Sequence, residues 1–106
     1  MSKAVELSSL LIDLEAQMRQ LALWQSEPPS DQLLASVEPF CVDTLTFPQW
    51  LQFVFLTRMY AILSAQQVLP SNCSIAPMAT EYFKSSGDNA EALIVILEAI
   101  DRLLSS

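Results

Sequence analysis

TFPQWLQFVFLTRMYAIL, residues 46–63, decides how this chain is read. Its start carries three helix signals. Thr46 and Gln49 have the spacing of a capping box, in which each side chain satisfies the other's backbone N–H. Pro48 falls in the first turn, where its missing N–H costs nothing. Leu45 and Trp50 have the spacing of a hydrophobic staple. A helix is therefore predicted over 47–67. Its apolar residues (Trp50, Leu51, Phe53, Val54, Phe55, Leu56, Met59, Tyr60, Ile62 and Leu63) cover more than one stripe, the pattern of a helix touched from several sides. Arg58 interrupts them and has two readings. It is a buried or half-buried guanidinium paired to an acid, with Asp43 the best-placed partner, or it is an anchor presented to a partner protein.

On the N-terminal side, Leu7, Leu11, Leu14, Met18 and Leu21 step by four and three, placing a helix over 4–24 with Trp24 at its end. Pro28, Pro29 and Pro39 make 25–45 a long proline-containing loop, within which Ser30 caps a turn or two of helix. On the C-terminal side, Pro70 and Pro77 bound a second linker. Pro77 opens a short helix over 77–85, with Met78, Tyr82 and Phe83 as inward candidates. Gly87 ends it as a left-handed residue. Asp88 and Glu91 cap a last helix over 89–104, whose Leu93, Leu97, Ile100 and Leu104 again step by four and three. Helical periodicity with no strand pattern implies an all-α bundle of about four helices, one domain over 1–106.

Composition narrows the chemistry. Hydrophobic residues make up 52% and charged residues only 16%, so apolar surface is left over for an interface. The net charge of −7, with five scattered bases, disfavours direct binding to nucleic acid or an anionic membrane. Histidine is absent, which removes the commonest general base and metal ligand. One glycine cannot build a phosphate loop. The pairs Asp13/Glu15 and Glu98/Asp101 read as solvated helix faces rather than a catalytic dyad. Cys41 and Cys73 form no metal or disulfide pattern and read as reduced thiols. No signal-peptide build opens the chain, and its longest strictly apolar run, ALIVIL at 92–97, falls short of a membrane span. No catalytic residue, cofactor or metal is expected.

The stretch PFCVDTLTFPQWLQFVFLTRMYAILSAQQVLP, residues 39–70, resembles the YqcC-like family of small bacterial proteins. The resemblance rests on Pro39-Phe40, Asp43-Thr44, Trp50-Leu51-Gln52, Arg58-Met59 and Leu69-Pro70. IAP at 75–77 and Trp24 before the EPP loop also fit. The resemblance implies about four helices, a cytoplasmic gammaproteobacterial setting and a family of unknown function. The family's genes commonly lie beside a tRNA pseudouridine synthase, which implies an accessory role in tRNA modification. No residue here supplies the sheet or basic groove that such a synthase needs.

These observations lead to a non-enzymatic interaction module. Its candidate patch is Trp24, Pro39, Phe40, Asp43, Trp50 and Arg58, offered to a protein partner such as a tRNA-modifying enzyme or to a second copy of the chain. The alternative is a small-molecule binder with an apolar pocket between the central helix and its proline loops.

Overall fold

The computed structural model of the chain describes residues 3–38, 44–71, 74–86 and 90–105. In chain order the elements are α1 (Lys3–Gln20), the single turn α2 (Asp31–Leu34), α3 (Phe47–Trp50), a π-helical segment (Leu51–Leu56), α4 (Thr57–Ser64), α5 (Ala76–Ser86) and α6 (Glu91–Ser105). There is no strand among the described residues. α3, the π segment and α4 follow one another without a break and make one spine. The all-α bundle read from the sequence is the observed architecture, with α2 as the extra turn capped by Ser30, whose Oγ accepts from the Leu33 N–H at 3.3 Å. The expected cap Asp88, the terminator Gly87 and both cysteines lie outside the described residues.

α1 and α6 pack against each other more extensively than any other two elements. Leu7, Leu11, Leu14 and Met18 of α1 face Leu93, Leu97, Ile100 and Leu104 of α6 in one buried cluster. The four-and-three spacing produces this, because such steps keep a side chain on one face of a 3.6-residue helix. Each fully buried leucine or isoleucine contributes about 1.5–3 kcal/mol relative to its exposed state. The spine closes this core with Leu51, Phe55, Leu56 and Met59, and α5 closes it with Ala79 and Phe83.

The spine is buried along one side rather than all round. Its buried residues are Phe47, Pro48, Leu51, Gln52, Phe55, Leu56 and Met59. They lie in two neighbouring rows, each at four-residue steps (47, 51, 55, 59 and 48, 52, 56). A repeat longer than 3.6 rotates away from a straight α-helix's inward face. Widening the turn to i→i+5 bonding, as the π segment does, keeps that stripe aimed at the core. Thr57 follows the wider turn, its hydroxyl donating to the Gln52 carbonyl at 3.4 Å. The same phase puts Arg58 on the solvent side, where it is exposed. The buried-pair reading of Arg58 is therefore corrected, and its supposed partner Asp43 lies outside the described residues.

Both ends that the sequence placed too late are set by left-handed turns. α1 stops at Gln20 rather than 24. Ala22 has φ 60°, the Leu23 N–H donates to the Met18 carbonyl at 2.8 Å, and the Ala22 N–H donates to the Arg19 carbonyl at 3.1 Å. α4 stops at Ser64 rather than 67. Gln66 has φ 54°, with Gln67 N–H to Ile62 O at 3.0 Å and Gln66 N–H to Leu63 O at 3.2 Å. Each is a Schellman motif built without the glycine that would signal it in the sequence. The start of the spine is as expected. The Thr46 hydroxyl accepts from the Gln49 N–H at 3.3 Å, and the Gln49 Oε1 accepts from the Thr46 N–H at 2.9 Å.

Asp101, read as part of a solvated face, has a structural task. Its carboxylate accepts from the Ile75 N–H at 2.9 Å and the Ala76 N–H at 2.8 Å. It caps the start of α5 from α6, supplying an acceptor to orphan N–H groups at the positive end of the helix.

Candidate functional site

The left-handed turn at Ala22 sends the chain back along α1, and this places Trp24. The Arg19 guanidinium sits 4.6 Å from the centre of its ring. Arg19 Nε also bonds Glu15 Oε2 at 3.1 Å, one helical turn earlier. Glu15, Arg19 and Trp24 thus form a ladder along the side of α1 that meets α4. The sequence does not announce the Arg19–Trp24 contact, because only the turn between them brings it about.

The next residue ties this ladder to the spine. The Gln25 N–H donates to Gln52 Oε1 at 2.9 Å, and Gln52 Nε2 donates to the Gln25 carbonyl at 2.7 Å. One side-chain amide thereby satisfies both polar groups of one peptide residue. Gln52 is the buried polar residue of the described core, at 7% exposure. Burial of an amide is tolerable only with such complete pairing. Gln49 Nε2 reaches Gln25 Oε1 at 3.5 Å, so both spine glutamines hold the loop after α1.

Between these two anchored parts lies an open groove of about 310 Å³, lined by Glu15, Trp24, Gln52, Phe53, Leu56, Thr57 and Tyr60. Phe53, Leu56, Thr57 and Tyr60 sit at three- and four-residue steps, and the π turn adds Gln52 to the same side. Tyr60 is partly exposed, and its hydroxyl pKa is raised above the usual value, first by burial and second by the negative charge of Glu15. The groove is therefore lined by three aromatic residues, the buried Leu56 and one acidic residue, Glu15.

The candidate patch divides in three. Trp24 lines the groove. Trp50 belongs to an aromatic cluster at the start of the spine. Its ring stacks with Phe47 at 6.2 Å and Phe55 at 5.7 Å, and Phe47 meets Tyr82 at 5.9 Å and Phe83 at 6.1 Å. Arg58 is exposed on α4 and is not among the groove's lining residues. Pro39, Phe40 and Asp43 lie outside the described residues. Sequence reading missed Glu15, Gln52, Phe53 and Tyr60 as a group. Gln52 carried a usable signal, a lone amide on the inward side of an apolar helix. Among the described residues, no group of three or more histidine, cysteine, aspartate or glutamate side chains could hold a metal ion, and no helix is long and apolar enough to cross a membrane.

Comparison with known proteins agrees with the fold. The family model described as tRNA pseudouridine synthase C matches residues 6–103. The solution NMR structure of YqcC from E. coli superimposes with a TM-score of 0.86 at 27% identity, covering 100% of this chain and 91% of that one. The chain belongs to the YqcC-like family. A family relative from Haemophilus influenzae, described as an uncharacterized protein, is 36% identical over 96 residues, which is 91% of this chain and 90% of the relative. A protein of Pectobacterium carotovorum named tRNA pseudouridine synthase C is 40% identical over 70 residues. That stretch is 66% of this chain but only 19% of the synthase, so the YqcC-like segment is a minor part of a much longer polypeptide.

Proposed function

We propose that this chain is a non-catalytic interaction module that docks on a tRNA pseudouridine synthase. One observation carries the reading. In the Pectobacterium protein named for that activity, a segment 40% identical to this chain occupies 19% of the length. When two units are found in one polypeptide, covalent linkage holds them at high effective concentration. A separate chain of the same family obtains that proximity by binding. The charge agrees, because an enzyme that handles tRNA presents basic surface and this chain carries −7. The role belongs in the cytoplasm beside the enzyme. The docking face takes in Trp24 and Arg58 and, from the sequence alone, Pro39, Phe40 and Asp43, while Trp50 belongs to the ring cluster that holds the fold.

The test mixes the purified chain with the tRNA pseudouridine synthase encoded in the same genome, followed by sedimentation velocity. The expected result is a stoichiometric complex at micromolar concentration, with no uridine isomerisation by the module alone. Failure to associate, self-association that excludes the enzyme, or isomerisation by the module alone would each overturn the reading.

A further inference from the structure

The groove beside Trp24 has a composition suited to one kind of side chain. Aromatic faces carry negative potential and attract cations, and arginine most often. Three aromatic residues, Trp24, Phe53 and Tyr60, line it together with the acidic Glu15. The protein demonstrates the chemistry internally, because Arg19 already holds a guanidinium 4.6 Å from the Trp24 ring while bonded to Glu15. Gln52 spends both ends of its amide on Gln25, so its polarity is committed to the loop and not offered to a ligand. Arg19 Nε takes Glu15 Oε2, and a carboxylate accepts further donors that a purely apolar occupant would not supply. A phosphate would meet Glu15 and a net charge of −7. The volume of about 310 Å³ lies at the small end of ligand sites, room for one long side chain rather than a cofactor.

We propose that this groove receives an arginine side chain of a basic protein partner, stacked on its aromatic lining and paired to the Glu15 carboxylate, which it would share with Arg19. Arginine fits better than lysine because its planar guanidinium stacks on rings and bonds a carboxylate bidentately. The assignment rests on the reading of the chain as a module for a tRNA-binding enzyme, and it names the contact that would hold the two together. The long-range charge raises the encounter rate, and the groove supplies the specific contact.

The test has two arms. In the first, amide chemical shifts of the chain are followed by NMR during titration with the probe peptide acetyl-Gly-Arg-Gly-amide and with its citrulline counterpart, which has the same shape and no charge. Shifts centred on residues 15, 24, 53, 57 and 60 with the arginine peptide alone support the proposal. Equal responses to both peptides, or shifts centred elsewhere, overturn it. In the second arm, affinity for the synthase is measured for Glu15→Gln, Tyr60→Phe and Tyr60→Leu, with helical content checked by circular dichroism. Glu15→Gln and Tyr60→Leu are expected to weaken binding by about tenfold, the size of a charged hydrogen bond, while Tyr60→Phe keeps the ring and keeps the affinity. A complex indifferent to all three overturns the groove and leaves the partner reading standing. Arginine-selective shifts without any synthase complex do the reverse.

Discussion

Trp24 and Trp50 are both half-buried, and they are held in opposite ways. Trp50 is packed among rings, between Phe47 and Phe55, in a cluster that joins the spine to α5. Trp24 has a cation on its ring, a turn of left-handed backbone before it and an open groove beside it. Equal exposure thus conceals different purposes. The first ring is consumed by cohesion of the fold. The second is positioned by neighbours that leave part of it available. Substitutions that cost stability in one region should cost recognition in the other.

The largest expected effect lies in the first region. Phe47, at 3% exposure, touches three other rings, and Phe47→Ala should destabilise the chain by about 3–5 kcal/mol. Trp24→Ala should cost less, about 2 kcal/mol, because only part of its ring packs on the core and its cation–π contact contributes about 0.5–1 kcal/mol. Urea denaturation of both variants makes the comparison directly. Equal losses would show that Trp24 is as much a part of the packing as Phe47, and the contrast would fail.

A smaller effect tests how the groove is held. Gln52→Ala leaves the N–H and C=O of Gln25 without their side-chain partner. Stability should fall by about 1–3 kcal/mol, the cost of an unsatisfied polar group. It should also free the Trp24 segment, giving faster hydrogen exchange at residues 23–25 than at the buried face of α1. Uniform protection across both would mean that the amide clamp does not hold the loop.

What the sequence made legible follows from how locally each feature is specified. The start of the spine was readable because Thr46, Pro48 and Gln49 act within one turn. The buried faces of α1 and α6 were readable because periodicity is a local property. The ends of α1 and α4 were not, since Ala22 and Gln66 take a conformation normally advertised by glycine. The groove was hidden for a different reason. Glu15, Trp24, Gln52 and Tyr60 come together only through the α1–spine contact, the turn at Ala22 and the π segment. Asp101 looked solvated because its partners, Ile75 and Ala76, lie 26 and 25 residues away.

The two left-handed turns offer a gain in place of a loss. A non-glycine residue in that conformation costs roughly 1–2 kcal/mol, partly offset because glycine gives the unfolded chain more freedom. Ala22→Gly and Gln66→Gly should each stabilise by about 0.5–1 kcal/mol. Their effects should add, since the turns share no hydrogen-bond partners. Ala22→Gly sharpens the comparison further. If the stiff turn positions Trp24, the variant gains stability and loses affinity for the arginine peptide, whereas Gln66→Gly gains stability alone.

The smallest expected effect belongs to Tyr60 and comes with a definite sign. Burial first, and the charge of Glu15 second, raise its hydroxyl pKa above the ordinary value near 10.0. The neutral form is therefore favoured in the folded state. Its contribution to stability is intact below the unfolded-state value and is lost as pH rises from there through the folded-state value. The affected window lies above pH about 10, with nothing expected from this group at neutral pH. Absorbance titration of the tyrosinate band in a Tyr82→Phe background isolates Tyr60. Glu15→Gln should bring the midpoint down only part of the way, because the larger cause, burial, remains. A midpoint at the ordinary value in the unmodified chain would mean that Tyr60 is neither covered nor close to Glu15, and the groove would lose the wall that distinguishes it from the aromatic cluster at the other end of the spine.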